Sequence, residues 1–241
     1  MEKKWFFLLI SSTTCAQQNF EQSVFPIVRD VITLVNERKN NPDQPIPIIS
    51  IAGCFAVGKS FFTSKLTRVL QQYGIKAQII REDNFLHFSP VAGANPIHPY
   101  LDANRIRTVL SGIGMGVLKV NQPYMHLSKN GYRIKYEDVD YQAVDVILFE
   151  GVYSLCGQNS FNFRKFCIFG IFLETSDDNI YAWDWDRNQE KPKTVRKSRK
   201  RFKKSFKGCM QNYKQYILPY RSEAKYIVYK HEKNAYTVGR A

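Results

Sequence analysis

No stretch of the 241 residues reaches the roughly 18 consecutive apolar positions that a membrane-spanning helix needs, so the sequence predicts no transmembrane segment. Cysteine is sparse and unpatterned. Cys15, Cys54, Cys156, Cys167 and Cys209 are odd in number and contain no C-x-x-C spacing. That argues against a disulfide framework and a zinc site, and fits a reducing cytosol. Internal repeats, low-complexity tracts and long linkers are also missing, which favours one domain over two small ones. Acidic residues are in deficit, 21 against 35 Lys and Arg, for a net charge of +14.

The excess charge is concentrated. Between Arg187 and Lys207 stand eleven Lys and Arg and a single acidic residue, Glu190. Phe202, Phe206, Cys209, Met210, Tyr213 and Ile217 recur at helical spacing through and beyond this run, which predicts a basic amphipathic helix rather than a disordered tail. Three uses stay open at this point: a lid that brings cations to a polyphosphate, a plain solvated face, or a contact for nucleic acid or an anionic membrane. At the other end, Glu2-Lys3-Lys4, the apolar run Trp5 to Ile10 and small residues up to Ala16 resemble a short signal peptide. Six apolar residues lie at the lower limit for such a segment, and the favoured expectation is a retained N-terminal element.

One motif stands out against this background. The apolar segment Ile46 to Ala52 runs into Gly53-Cys54-Phe55-Ala56-Val57-Gly58-Lys59-Ser60, followed by Phe61, Phe62, Leu66 and Leu70 at helical spacing. This strand, glycine-rich loop and helix form a phosphate cradle. Glycines let successive backbone N–H groups approach the phosphates, the helix N-terminus adds its positive end, Lys59 reaches the β- and γ-phosphates, and Ser60 can ligate Mg²⁺. Gly53, Ala56, Val57, Gly58, Lys59, Ser60 and Phe61 are therefore the candidate nucleotide-binding residues, with ATP and Mg²⁺ as the implied cofactors.

The remaining pattern is helical from about Asn19 to Arg38, then strands over Ala77 to Arg81, Val144 to Phe149, Phe166 to Leu173 and Tyr226 to Tyr229. Helix is expected over Arg105 to Leu110, broken by the Gly112, Gly114 and Gly116 cluster. Strands alternating with helices predict a three-layer, doubly wound α/β fold with a mostly parallel sheet. Residues 1–45 are expected to form a helical extension, and residues 46–241 the main domain with a helical lid over about 180–212. Acidic residues gather at strand carboxyl ends: Asp83, Glu150 and the Asp177-Asp178 pair. Phosphoryl transfer needs a cationic cradle, a metal and a carboxylate to orient the attacking hydroxyl, and Lys59, Ser60, Asp83 and Glu150 supply that set. The bland alternatives are a turn residue for Asp83 and a partnered buried carboxylate for Glu150.

Five blocks in order carry a resemblance: the phosphate loop, Asp83-Asn84-Phe85-Leu86-His87, Pro123-Tyr124-Met125-His126-Leu127, Asp145 to Gly151, and Ile217-Leu218-Pro219-Tyr220-Arg221. Together they resemble the phosphoribulokinase/uridine kinase group of P-loop kinases, nearest the bacterial type I pantothenate kinases. The resemblance implies that Asp83 is the catalytic base, that Lys59 and Ser60 serve ATP and Mg²⁺, and that Glu150 supports the metal. It places Arg187, in Trp185-Asp186-Arg187, as a lid arginine, and Tyr124 and His126 in the acceptor pocket, where each could otherwise be a simple buried side chain. Several pocket positions depart from the pattern: Lys129, Asp184 and Tyr216 stand where pantothenate kinases carry tyrosine or asparagine, and Ile97 stands where uridine kinases carry aspartate. The expectation is a cytoplasmic kinase for a primary hydroxyl of a small metabolite, pantothenate first and a nucleoside such as uridine second. The other class left open is a non-catalytic nucleotide-binding protein whose basic helix holds RNA or an acidic partner. Pantothenate kinases of this kind are commonly homodimers, a property that no residue here speaks for.

Overall fold

The computed structural model describes residues 15–91, 98–128, 131–158, 161–232 and 235–241. The signal-like residues 1–14, Ile97 and Lys129 lie outside them. The chain begins with helix α1 (Cys15–Asn40), then strand β1 (Ile48–Gly53), helix α2 (Lys59–Gln72) and strand β2 (Ala77–Arg81). Helix α3 (Ala103–Gly114) leads into a long hairpin, β3 (Lys119–Ser128) and β4 (Gly131–Asp140). Then come β5 (Val146–Glu150), β6 (Phe169–Glu174), α4 (Asp177–Gln189), α5 (Arg199–Tyr216), β7 (Tyr226–Lys230) and β8 (Tyr236–Arg240).

Six strands form the main sheet in the order β2-β5-β1-β6-β7-β8. All neighbours run parallel except the last pair. The residues explain the arrangement: β1 (IISIAG) and β5 (VILFE) are buried along their whole length, as strands covered by helices on both faces must be. This is the doubly wound architecture that the alternation predicts. The chain passes from β1 to one side of the sheet and later returns to the other, so the carboxyl end of β1 sits at the topological switch point, where such folds bind ligands.

Helix α1 is packed on the same core. Phe20, Val24, Ile27, Val28 and Val31 are buried, and Phe20 meets Phe62 of α2 and Tyr236 of β8 edge-on at 5.7 and 5.3 Å. The Tyr226 hydroxyl donates to Asp30 at 2.7 Å, fastening α1 to β7.

Two expectations shift. Helix α3 contains Gly112 and Gly114 and ends only before Gly116, whose φ of 81° suits glycine. It begins where the Asp102 carboxylate accepts from the Arg105 N–H at 2.9 Å, a cap that outweighs the interior glycines. In α5, Phe202, Met210 and Tyr213 are buried but Cys209 is exposed. The apolar stripe is therefore narrower than its spacing suggests. No described helix is long and apolar enough to cross a membrane.

Candidate active site

The loop after β1 is built from unusual backbone. Gly53 (φ 144°), Ala56 (φ 57°) and Gly58 (φ 96°) all lie at positive φ, Ala56 being the non-glycine residue there. Such a chain turns successive N–H groups toward one side and makes an anion-binding concavity. Backbone strain at a non-glycine residue is the kind retained at functional sites. Helix α2 starts at Lys59, directly behind the loop, so its positive end faces the same space. The Lys59 ammonium curls back onto its own loop, donating to the Gly53 and Cys54 carbonyls at 3.2 and 3.0 Å. Burial lowers its pKa, and the Glu82 and Asp83 carboxylates, where ionised, oppose the drop.

Two carboxylates from the ends of two neighbouring strands face this loop. Asp83 lies in a short 3₁₀ turn (Glu82–Phe85) immediately after β2. Glu150 is the last residue of β5 and is in register with Arg81 of β2. Its Oε1 is paired with the Arg81 guanidinium at 3.2 Å, and its Oε2 accepts from the Thr63 hydroxyl of α2 at 3.5 Å. Burial raises the Glu150 pKa, opposed by a hydrogen bond from Ser60 and by the charges of Lys59 and Arg81.

A cleft of about 410 Å³ opens here, lined by Lys59, Ser60, Asp83, Glu150, Trp183 and Arg187, with Ala56, Gly58 and Phe61 on its loop side. Four distant stretches of chain thus converge on one hollow. Gly53 and Val57 shape the loop without lining the cleft; Val57 is fully buried. Asp177 and Asp178 do not line it either. They open α4, and Asp177 pairs with Lys214 at 2.7 Å. A larger hollow, about 490 Å³, lies by the amino ends of β6 and β7. It holds the Arg164–Glu223 ion pair but none of the loop residues.

Arg187 reaches the cleft from α4, its guanidinium 3.3 Å from Asp184 and largely exposed. The rest of the basic run does not line the cleft. Tyr181 and Trp185 of α4 pack against Phe202 of α5 at 5.4 and 4.9 Å. The Lys and Arg residues from Lys191 to Lys207 are exposed, Arg196 donating to the Lys191 carbonyl and Lys197 to the Ser205 hydroxyl. Arg199, Lys200 and Arg201 occupy the first turn of α5, at the positive helix end, with Lys203, Lys204 and Lys207 following. Like charges at i, i+3 and i, i+4, and cations at a helix N-terminus, both destabilise. Lys200→Glu is therefore expected to stabilise the fold by about 1 kcal/mol in urea unfolding at low salt, the gain shrinking in 1 M salt. A loss of stability at low salt would contradict this reading of α5.

Tyr124 and His126 are on β3, half-buried, with their rings edge-to-face at 6.4 Å. They do not line the cleft itself. The Met125 N–H between them donates to Asn84 Oδ1 at 3.4 Å, which sets β3 beside the turn that carries Asp83.

No family model matches the chain. A curated pantothenate kinase from Pasteurella multocida (strain Pm70) is 32% identical over 155 residues, covering 59% of this chain and 48% of that protein. The chain thus matches about half the length of that relative. Among solved structures, D-glycerate 3-kinase from Cryptococcus neoformans var. grubii superposes with a TM-score of 0.66 at 11% identity, covering 90% of this chain and 99% of that one. Phosphoribulokinase from Rhodobacter spheroides superposes with a TM-score of 0.62 at 14% identity, covering 78% and 71%. The chain has the P-loop kinase fold. The architecture expected from the alternation of strands and helices and from the phosphate loop is the one observed.

Within this P-loop kinase fold, two residues at the site escape a reading of sequence alone. Lys230 reaches the phosphate loop from β7, and Glu82, beside Asp83, points the other way into the protein. Glu82 is buried and its Oε2 accepts from the Tyr153 N–H at 2.9 Å. It also fills the space beside Gly151, where a Cβ would come within 2.5 Å of the Glu82 Cβ. Two adjacent acids at a strand end are the available signal, because neighbouring side chains diverge and only one can face the cleft.

Burial pushes the Glu82 carboxyl up to about 8, with the Asp83 charge adding to the rise and the Tyr153 N–H opposing it. The folded protein therefore holds a proton that the unfolded chain releases near 4.5. This contribution to stability is complete below about pH 4.5 and is lost as the pH climbs through about 8. Glu82→Gln keeps a side-chain acceptor for Tyr153 and abolishes the titration. Its melting temperature relative to wild type should rise steadily from pH 5 to pH 8.5; a difference that stays constant over that range would refute a proton on Glu82.

Proposed function

We propose that the protein is an ATP-dependent small-molecule kinase that transfers the γ-phosphoryl group to a primary hydroxyl. The observation that carries this reading is the convergence of Lys59, Ser60, Asp83, Glu150 and Arg187 on one cleft. The loop N–H groups and Lys59 hold the β- and γ-phosphates, and Arg187 offers its cation to the transferring group from α4. Asp83 orients the acceptor hydroxyl and accepts its proton as the oxygen attacks phosphorus in line, while the bond to the departing ADP oxygen breaks. The donors suit magnesium: the exposed Ser60 hydroxyl and the buried Glu150 carboxylate are both hard oxygen ligands, with phosphates and water left to complete the shell. In that role Ser60 would ligate the ion, and Glu150, already paired with Arg81, would support it. Bound magnesium neutralises charge on the β- and γ-phosphates. ATP supply and the five unpatterned cysteines support a cytosolic setting for this activity.

The acceptor sits between the Asp83 turn and the hairpin. Tyr124 is opposite Lys135 and His126 opposite Arg133 in the hairpin register. Directly opposed residues of an antiparallel pair share a face. The face with the two aromatic donors therefore also carries two exposed cations, which favours an acid-bearing alcohol such as pantothenate over a neutral nucleoside. The pantothenate kinase similarity points the same way. ADP release from MgATP against a panel of pantothenate, glycerate, pantetheine, uridine and cytidine tests this. Turnover with an acidic alcohol, and a rise in its KM for Arg133→Gln, supports the reading. Turnover confined to nucleosides overturns the choice of acceptor.

A further inference from the structure

Lys230 is the last residue of β7, and its side chain is buried, with only 6% of the residue exposed. Burying an ammonium group is expensive unless it is compensated. Here the compensation comes from two elements of the cleft. Its Nζ donates to the Val57 carbonyl of the phosphate loop at 3.2 Å. The same atom stands 4.1 Å above the centre of the Trp183 indole, on α4. It also fills the space behind Gly58, where a Cβ would come within 2.7 Å of the ammonium.

The geometry assigns a role to this contact. In a planar trans peptide the carbonyl and the following N–H point in opposite directions. Lys230 draws the Val57 carbonyl toward the sheet, away from the cleft, so the Gly58 N–H is directed into the concavity that Gly58 lines. The α4 contact extends this. Trp183 and Arg187 are four residues apart, on the same face of the helix, and both line the cleft. One buried cation therefore joins the phosphate cradle to the helix that brings the arginine.

We propose that Lys230 is a positioning residue, which locks the Val57–Gly58 peptide in its phosphate-binding orientation and registers the Trp183–Arg187 face of α4 against the cradle. This rests on the kinase reading of the cleft. It makes no contact with the acceptor, so its effects should fall on the nucleotide side.

Lys230→Met keeps the apolar stem and removes the charge. The Kd for MgATP is expected to rise about tenfold or more, the scale of a hydrogen bond to a charged group. kcat should fall with it, while the KM for the acceptor stays within twofold. Lys230→Arg, which still offers donors to the carbonyl and a flat cation to the indole, should recover most of the nucleotide affinity. Titration calorimetry on wild type, Lys230→Met and Lys230→Arg reads this directly, with melting temperature recorded for each. If Lys230→Met does not fold, Trp183→Leu carries the test from the helix side, with a smaller rise in the MgATP Kd expected. An unchanged Kd in whichever variant folds overturns the inference, as does a loss that Lys230→Arg leaves entirely unrepaired. Wild-type protein that fails to bind MgATP overturns the kinase reading instead, so the two failures are told apart.

Discussion

Asp83→Asn is expected to lower kcat by about 10²–10⁴-fold, the usual worth of a positioned general base, while the Kd for MgATP moves by less than about threefold. Asparagine keeps the size of the side chain and its oxygen, so the 3₁₀ turn after β2 has no reason to rearrange. What disappears is the carboxylate that can take a proton in the cleft it shares with Lys59 and Arg187. The buried Glu82 next to it cannot substitute, because its Oε2 is committed to the Tyr153 N–H. Steady-state ADP release alongside calorimetric titration separates the two effects. Turnover within threefold of wild type would remove Asp83 from the chemistry.

Gly53→Ala is expected to be severely destabilising. Gly53 ends β1 at φ 144°, in register with Leu173 of β6. A Cβ there would come within 2.3 Å of the Leu173 carbonyl oxygen, a backbone atom held in the parallel ladder. Neither partner can turn aside as a flexible side chain can. Backbone strain and forced separation of two central strands together should cost about 3 kcal/mol or more. In a chain of this size that corresponds to a fall of about 6–12 °C in melting temperature. Urea unfolding that shows a loss under 1 kcal/mol would mean that the strand pair gives way more easily than its central place in the sheet suggests. The same substitution should weaken MgATP binding, because the Gly53 carbonyl is one of the two groups that hold Lys59.

Much of this site can be read from the residues alone, and the limits have physical causes. The phosphate loop announces itself because its glycines, lysine and serine each answer a requirement of the ligand at a fixed spacing. Asp83 and Glu150 are legible because acidic residues at the ends of apolar strands are costly without a purpose. The hairpin β3–β4 is hard to recognise in the sequence. Strand β4 alternates over Tyr132-Arg133-Ile134-Lys135-Tyr136-Glu137, but its partner β3 (KVNQPYMHLS) has no such period and carries Pro123, and the pair stands outside the main sheet. Strand β8 (YTVGR) is short, at the sheet edge, and mostly exposed, so burial leaves little imprint on it. Lys230 is the plainest case. In sequence it is one lysine among many in a basic chain, and only the pairing of β7 with β6 brings it behind the loop after β1. The basic run shows the converse: its charge is conspicuous, yet Arg187 is its contribution to the cleft lining.

The central claim is that the cleft moves the γ-phosphoryl group of ATP to a small alcohol. The most direct measurement is transfer of label from γ-labelled MgATP, with the products separated and the acceptor panel supplied one compound at a time. The account predicts label in a phosphomonoester of one acidic primary alcohol, formed by wild type and absent with Asp83→Asn. Label that stays in ATP with every acceptor, or appears only as inorganic phosphate at a rate indifferent to Asp83, would contradict it.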